Sequence, residues 1–424
     1  MTKARSRLGL VVAFHGALAL AYVGLLARDL ASRERLLSTD FAAYATGAAL
    51  AARGDGAHLY DAATQAATQA AILAPHQFPG GLLAFLNPPH VALAFAPLAR
   101  LDFATGFRLW TIVQLALVVA LASSVARIVS ARGGLGRAAA LTAVGALWPV
   151  FYAVQIGQLS VLLALALARL WIALDEGPAG GRGAGGANPP SRSGAGSRDD
   201  ARAGAWLFVL SAKPQLLPIF PLLLWSLGRA RVLAWTLAFG AAAFALTSAW
   251  LGVGVWTRYA HGLVSLESFF AQGTPEHMAS LRGLLSIVFG GSRAVAVASA
   301  IAFAVVLAAS GARWLRRPLR ADAPPGLRAR RFASACAVAL LFCPHLFIQD
   351  VTLWIAPLAI FHASLDGDPA RARGFARFAL AWPVIFFVAA TFTGATGRAA
   401  TPLVLVPLVV AFAWLRRAET RGLA

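Results

Sequence analysis

Asp40 is the residue whose type and position best suit acid–base chemistry. It belongs to the polar stretch Ser38–Tyr44, which follows the first apolar run of the chain. A stretch of this polarity is expected to lie in water beside a membrane. A carboxylate held at a membrane face, in a chain otherwise built for lipid, makes Asp40 the leading candidate for a catalytic group.

Lys213 is a second candidate, because lysine occurs at only one other position, Lys3. The following Pro214 breaks a helix and frees backbone groups to line a cavity. A compact ammonium at such a break suits a phosphate or a pyrophosphate. The alternative is a lysine that snorkels to water from the end of a span.

Other polar groups interrupt apolar runs at Asn87–His90, Gln155–Gln158 and Pro344–Asp350. An ionisable group at membrane depth is costly and normally faces a protein cavity or water. His345 and Asp350 beside a proline therefore favour a site over a structural break. The prolines of Asn87–His90 are expected to start the second span.

Asp61 has an alternative to a role in a site: it could cap the helix that follows it.

The composition places these groups in a membrane protein. Of the 424 residues, 59% are hydrophobic and 13% are charged, and the mean hydropathy is +0.70. Runs such as Ala294–Ala309 are apolar on every side, whereas strands of a β-barrel would alternate. The sequence therefore predicts an all-α polytopic membrane protein.

Apolar runs long enough to enter a bilayer recur along the whole chain and predict about twelve transmembrane helices, several of them short and tilted. They are Leu8–Ala27, Leu82–Ala99, Phe107–Ala126, Ala138–Ile156, Leu159–Leu174, Ala205–Leu227, Val232–Leu251, Ala294–Ala309, Phe332–Ile348, Val351–His362, Phe378–Phe392 and Pro402–Leu415.

The arginines predict the orientation. Basic residues precede Leu8–Ala27, which we interpret as a retained signal anchor with a cytoplasmic N-terminus. Arginine clusters at 313–331, 371–377 and 416–421 mark cytoplasmic loops and a cytoplasmic C-terminus. Arginines at 127, 132 and 137 break this pattern, so the topology of residues 82–137 stays open.

The chain is expected to form one integral membrane domain over residues 1–424. Residues 28–81 and 252–283 are predicted as external loops, and the Gly-, Pro- and Ser-rich residues 177–204 as a flexible connection. The net charge of +20 follows the arginine loops rather than a basic soluble domain, which argues against nucleic-acid binding.

Motifs for metals, disulfides and nucleotides are absent from the sequence. Cys336 and Cys343 lie seven residues apart in one apolar run, too far for a mutual disulfide, and are predicted as core residues. No paired-histidine, Walker or Rossmann motif occurs. The spacing of Asp40, Asp55 and Asp61 in the first loop does not by itself establish a metal site. We therefore expect no cofactor and metal-independent activity, with a divalent metal as the open alternative.

The order of the motifs resembles glycosyltransferase family 87, a group of membrane enzymes with the GT-C fold. The resemblance rests on a collinear set that runs from about Asp40 to Pro357: Asp40-Phe41-x-x-Tyr44, Leu59-Tyr60-Asp61, Asn87-Pro88-Pro89, Ala96-Pro97-Leu98, Trp110, Gly157-Gln158, Lys213-Pro214 and Pro344-His345 through Asp350.

This resemblance implies sugar transfer, mannose first among the candidates, at the outer face of the cytoplasmic membrane. The donor would be a polyprenyl-phosphate sugar and the acceptor a hydroxyl of a lipid or a glycan. Asp40 would act as the general base, with inversion at the sugar, and Lys213 would contact the phosphate. Substrate-binding candidates are Tyr44, Tyr60, Asp61, His90, Gln158, Lys213, Arg282, His345, Gln349 and Asp350.

Two other classes remain open from the residues themselves. A transporter or lipid flippase would also use Lys213, Asp350 and proline-broken helices, although no inverted repeat is detectable. A polymerase or ligase of surface polysaccharide would share the lipid-linked donor. It would be favoured by an arginine-rich external loop, and residues 252–283 contain only Arg258 and Arg282.

Overall fold

The computed structural model describes residues 2–78, 81–129, 133–176, 193–270, 278–319, 323–365, 368–396 and 401–421. Within these ranges the regular structure is helical, apart from one isolated antiparallel bridge between Met278 and Phe347. The prediction of an all-helical chain is confirmed for this part of the protein.

Nineteen α-helices follow one another along the described ranges. They are α1 Thr2–Ala31, α2 Arg33–Leu37, α3 Phe41–Ala52, α4 Ala62–Leu73, α5 Pro89–Phe95, α6 Phe103–Ile128, α7 Gly133–Gly145, α8 Trp148–Ile156, α9 Ser160–Glu176, α10 Ser193–Val209, α11 Ile219–Ser226, α12 Ala230–Leu251, α13 Gly254–Phe270, α14 Leu281–Phe289, α15 Arg293–Arg316, α16 Pro325–Phe342, α17 Ile355–Ala363, α18 Pro369–Thr396 and α19 Thr401–Arg421.

Six of the described helices are long and apolar enough to cross a membrane, which makes the chain a multi-pass membrane protein. A seventh crossing is possible where α7 and α8 meet at a bend of 55°. The six stretches are Leu8–Ala31, Phe103–Ile128, Ala230–Leu251, Arg293–Arg316, Ala370–Thr393 and Thr401–Glu419.

Among the described residues six or seven helices are long and apolar enough to cross a membrane, so the expected count of about twelve spans is not confirmed. Prolines and polar residues divide several of the predicted apolar runs. The run Leu82–Ala99 was expected to open the second span at Asn87–His90. It contains only the seven-residue helix α5 and a 3₁₀ helix at Ala96–Arg100. Proline at the start of α5 fixes the local backbone but cannot lengthen the helix.

Two further runs are broken in the same way, near Lys213 and near Pro344. The run Ala205–Leu227 becomes α10, two 3₁₀ turns on either side of Lys213, and α11. The run from Phe332 ends its helix at Phe342, before Pro344. Lys213, His345 and Asp350, all three of them candidates from the sequence, lie at these breaks.

The core is built around α9 and α16. Nearly every described side chain of α9 is buried, and α16 is buried almost continuously from Ala329 to Leu341. Helices that are apolar on every face belong in the centre of a bundle. The surrounding helices α6, α10 and α17 pack on α9, and α11, α17 and α19 pack on α16.

The loop regions expected from the sequence contain helices. Residues 28–81 hold α2, α3 and α4, and residues 252–283 hold α13 and the first residues of α14. Of the expected flexible connection, residues 177–192 lie outside the described residues, whereas residues 193–204 form the first part of α10. Asp200 on α10 pairs with Arg229 at 2.7 Å, which ties this helix to the start of α12.

Candidate active site

Asp40 lies at the first turn of α3 and is joined to Tyr44 through one amide side chain. Gln158 donates from Nε2 to Oδ2 of Asp40 at 2.6 Å. Tyr44 donates from its hydroxyl to Oε1 of the same Gln158 at 2.8 Å. Residues four apart on a helix share one face, so the side chains of Asp40 and Tyr44 can both hydrogen-bond to Gln158.

The Asp40 carboxylate is available for this contact because it does not cap α3. The backbone at Asp40 is already helical, with φ −63° and ψ −15°, and its side chain makes no capping hydrogen bond. Asp61 behaves differently at the start of α4. Its extended backbone lets the carboxylate accept from the backbone N–H of Thr64 at 2.8 Å.

A tight turn between α8 and α9 positions Gln158. Gly157 ends α8 in the left-handed region with φ +80°, and a Cβ there would lie 2.9 Å from carbon atoms of Phe41 and Phe107. Trp110 donates from its indole nitrogen to the Gly157 carbonyl at 2.9 Å. Glycine therefore provides both the turn and the close approach of this turn to α3.

Asp350 is the centre of a second polar group. Lys213 Nζ and Ser160 Oγ both donate to its Oδ1 atom, the serine at 2.6 Å. The backbone N–H of Phe347 donates to Oδ2 at 3.3 Å. Asp350 is wholly buried, and the Lys213 side chain keeps 14% of its surface exposed. A buried charge needs such partners, since an unpaired one is costly.

Breaks in the helices bring these residues together. Lys213 has a non-helical backbone, with φ −128° and ψ 82°, between the 3₁₀ turns Leu210–Ala212 and Pro214–Leu216. Asp350 lies in the 3₁₀ helix Ile348–Trp354, which follows the break at Pro344. Each charged group thus sits where the regular backbone pattern is interrupted.

The two polar groups are close enough to act on one another electrostatically. Burial raises the pKa of the Asp40 carboxyl above its ordinary value, and the charge of Asp350 adds to the rise. The hydrogen bond from Gln158 and the charge of Lys213 oppose it without cancelling it. A carboxylate with a raised pKa is the stronger base, which suits proton removal from a hydroxyl.

His345 and Arg282 lie beside the Lys213–Asp350 pair. Burial lowers the pKa of His345 to about 4, and the charges of Lys213 and Arg282 also lower it. The imidazole is therefore neutral at pH 7. Arg282 donates from Nη1 to the Pro344 carbonyl at 3.4 Å. This bond fastens the start of α14 to the segment that contains His345.

Tyr60 and His90 reach the other side of the Lys213 break. The Tyr60 hydroxyl donates to the Asn87 carbonyl at 2.7 Å, and the Asn87 amide donates to the Ala212 carbonyl at 3.1 Å. His90 Nε2 lies 3.2 Å from Ser211 Oγ. Residues 87–90, expected to start a span, instead pack against the residues just before Lys213.

The remaining two candidates have different placements. Gln349 is buried next to Asp350 in the chain and is 6% exposed. Asp61 is exposed and accepts from both the backbone and the hydroxyl of Thr64, the latter at 2.6 Å. The structure thus brings Asp40, Lys213 and Asp350 into one electrostatic group but gives Asp61 the capping role.

Sequence reasoning missed Ser160 and the partner of Gln155. Ser160 is wholly buried at the first position of α9, and its polar side chain at the start of an apolar run was the available signal. Gln155 donates to Asp29 Oδ2 at 2.5 Å, and Asp29 also accepts from Arg28 and Arg35. The turn after α8 therefore binds two carboxylates of the first loop region, Asp29 and Asp40.

No group of three or more His, Cys, Asp or Glu side chains that could hold a metal ion occurs among the residues that the structure describes. Cys336 and Cys343 are free and buried in or just after α16, as expected for core residues. The polar groups at Asp40 and Asp350 consist of these two carboxylates, the Gln158 amide, the hydroxyls of Tyr44 and Ser160, one backbone N–H and the Lys213 ammonium.

Comparison with known proteins identifies the family. The model of glycosyltransferase family 87 matches residues 85–344, more than half of the chain, and this range contains Asn87, Gln158 and Lys213. Asp40 and Asp350 lie outside it. No curated protein and no solved structure matches the chain. The family resemblance predicted from the motif order is confirmed: the chain belongs to glycosyltransferase family 87 and is a membrane glycosyltransferase.

Proposed function

We propose that the protein transfers a hexose, with mannose as the first candidate, from a polyprenyl-phosphate donor to a hydroxyl of a lipid or glycan acceptor. Asp40 is the general base, and the sugar is inverted. Family membership and the membrane-spanning helices support sugar transfer beside a bilayer. The observation that carries the proposal is the placement of the Asp40 carboxylate, which Gln158 holds at 2.6 Å within electrostatic range of the Lys213 ammonium.

Asp40 is better placed than Asp350 to accept a proton from a substrate because its carboxylate has fewer partners. Among the described residues it receives one hydrogen bond, from Gln158. Asp350 accepts from Lys213, Ser160 and the Phe347 backbone and is wholly buried. A carboxylate already engaged by three donors has fewer free lone pairs with which to accept a proton from a substrate. We therefore assign proton removal to Asp40 and the orientation of Lys213 to Asp350.

The proposed reaction displaces phosphate in one step. The acceptor oxygen attacks the anomeric carbon as the bond from that carbon to the phosphate oxygen breaks, and the hydroxyl proton passes to Asp40. A single displacement on the face opposite the leaving group inverts the anomeric configuration, so a β-linked donor gives an α-linked product. The polyprenyl phosphate leaves with both bonding electrons and needs a positive partner.

Lys213 and Arg282 are the proposed partners of the departing phosphate. The Lys213 ammonium has three N–H groups and Asp350 engages it on one side, so the pair orients the ammonium without enclosing it. The Lys213 and Arg282 charges both act on His345, which indicates that the two cations flank the same space. Two fixed cations stabilise a developing phosphate charge better than one.

The arrangement of basic residues supports an active site on the outer face of the cytoplasmic membrane. Basic residues Lys3, Arg5 and Arg7 precede the apolar part of α1, and Asp40 follows its far end. Arg328, Arg330 and Arg331 lie at the start of α16, and Asp350 follows its far end. If the basic ends face the cytoplasm, as the positive-inside rule requires, Asp40 and Asp350 meet on the outer side.

The test is sugar transfer by purified protein in vesicles that contain a radiolabelled donor. Polyprenyl-phosphate mannose and polyprenyl-phosphate glucose are offered separately, with total membrane lipid as acceptor, and the anomeric configuration of the product is determined. We expect an α-linked product from a β-linked donor. Retention of configuration would contradict the single displacement, and transfer from a soluble nucleotide sugar would contradict the lipid-linked donor.

A further inference from the structure

A buried arginine at the opposite end of α16 is left without hydrogen bonds. Arg331 is wholly buried, yet none of its three guanidinium nitrogens has a hydrogen-bond partner among the described residues. The nearest carboxylate oxygen belongs to Glu419 on α19 and lies 3.9 Å from Arg331 Nε. Five N–H donors in a dry interior are costly unless something accepts from them.

Glu419 does not satisfy Arg331 because it is already engaged by other side chains. Its Oε1 atom accepts from the Trp314 indole of α15 at 2.8 Å, and its Oε2 atom accepts from Arg416 at 3.2 Å. Arg416 also donates to Ser334 Oγ at 3.3 Å. Glu419 and Arg416 together therefore link α15, α16 and α19, while the Arg331 nitrogens keep no hydrogen-bond partner among the described residues.

The charges of this cluster do not balance. Arg313 on α15 lies close enough to act electrostatically on both Arg331 and Arg416. Glu419 acts on Arg331 and Arg416, and the three guanidinium groups with this one carboxylate carry a net charge of +2 when each has its usual charge. Such an excess of positive charge between helices requires an anion or exposure to water.

The position of the cluster indicates the kind of anion. About 18 Å of helix separates Arg331 from Cys343, so the cluster is remote from Asp350 and the candidate active site. It lies where the membrane-spanning stretches of α15 and α19 end, next to the arginine-rich residues 313–331. Lipid phosphates occupy this depth of a bilayer, and a guanidinium fork matches two phosphate oxygens.

We propose that Arg313, Arg331 and Arg416 form a phosphate-binding site between α15, α16 and α19. The ligand is a phosphate group, carried by an anionic phospholipid headgroup or by free phosphate. Arg313 and Arg416 are partly exposed and form the rim, and Arg331 forms the floor. Glu419 orients Arg416 and Trp314 rather than binding the ligand.

The test is a titration of the thermal stability of the purified full chain in mixed micelles. Phosphatidylglycerol, phosphatidylcholine and inorganic phosphate are added separately to wild type, Arg331→Met, Arg416→Gln and Arg373→Gln. Arg373 is an exposed arginine on α18 outside the cluster and is the matched control. If Arg331→Met does not fold, the comparison of Arg416→Gln with Arg373→Gln still decides the result.

We expect phosphatidylglycerol to stabilise wild type and Arg373→Gln with the same midpoint, and phosphatidylcholine to have no such effect. Loss of one charge-assisted hydrogen bond should weaken the apparent affinity of Arg416→Gln and Arg331→Met about tenfold or more. The same pattern with inorganic phosphate would identify free phosphate as the ligand. Equal midpoints in all four proteins, or no stabilisation beyond that of phosphatidylcholine, would overturn the proposal.

Discussion

Gln158 donates a hydrogen bond from Nε2 to Oδ2 of Asp40 at 2.6 Å while its Oε1 atom accepts from Tyr44. This bond opposes the burial that raises the pKa of the Asp40 carboxyl, because a donor favours the charged form. The Gln158 amide and the charge of Lys213 thus both limit the basicity of Asp40, and the amide can be removed by substitution.

A Gln158→Leu protein should have a higher Asp40 pKa than the wild type. A general base acts in its deprotonated form, so activity falls as the pH drops through the pKa of that base. The acid limb of the profile of kcat/KM against pH is expected to move to higher pH in Gln158→Leu. Gln155→Leu is the matched control, because Gln155 lies at the end of α8, just before this turn, but bonds to Asp29. If the acid limb of Gln158→Leu stays at the wild-type pH, the hydrogen bond from Gln158 does not influence the pKa of Asp40.

The raised pKa of Asp40 also predicts the pH dependence of stability. The folded protein holds this proton more tightly than the unfolded chain, so the stabilising contribution is complete below the ordinary pKa of Asp. It is lost as the pH rises through the higher folded-state pKa. At pH 7, Asp40→Asn should therefore unfold at a higher temperature than wild type. The difference should shrink toward pH 4, and a less stable Asp40→Asn protein at pH 7 would contradict it.

Lys213 and Asp350 should stabilise the folded protein only when both charges are present. Lys213→Met leaves the wholly buried Asp350 carboxylate without its counter-ion and is expected to cost about 3–5 kcal/mol of unfolding free energy. Adding Asp350→Asn removes the unpaired charge and should recover at least half of that loss. Denaturation of the single and double variants in detergent measures the coupling. Additive losses in the double variant would show that the two charges do not interact.

Gly157 should not tolerate a side chain. Its φ of +80° disfavours other residues, and an added Cβ would lie 2.9 Å from Phe41 and Phe107. Gly157→Ala is expected to cost about 1–3 kcal/mol and to lower activity, since the turn carries Gln158. Gly240→Ala on α12 is the control, because nothing lies within 4 Å of its added Cβ. Wild-type stability and activity in Gly157→Ala would show that the close packing of this turn does not position Asp40.

The sequence predicted which residues are unusual better than it predicted their partners. Lys213 and Asp350 were recognisable as charges at breaks in apolar runs, and both lie in such breaks. Their mutual pairing joins residues 137 positions apart, and no local pattern encodes a contact of that range. The hydrogen bond from Ser160 to Asp350 could not be predicted for the same reason, because it joins residues 190 positions apart.

The number of spans was less predictable than the fold class. Hydropathy measures how apolar a run is, and it does not distinguish a lipid-facing helix from the buried helix α9. It also passes over prolines within apolar runs, such as Pro89, at which the short helix α5 begins, and Pro344, which follows the end of α16. For Asp61 the capping alternative was available from its position before α4, and its bonds to Thr64 are those of a cap.

The measurement that tests the role of Asp40 most directly is transfer of label from polyprenyl-phosphate mannose by wild type, Asp40→Asn and Asp61→Asn at matched protein levels. Asp61 is the matched control, since it is an exposed aspartate of the same region that caps α4. We expect Asp40→Asn to lose about 10²–10⁴-fold in turnover while still binding donor, and Asp61→Asn to stay near the wild-type rate. Turnover by Asp40→Asn close to that of wild type would contradict the assignment of the base.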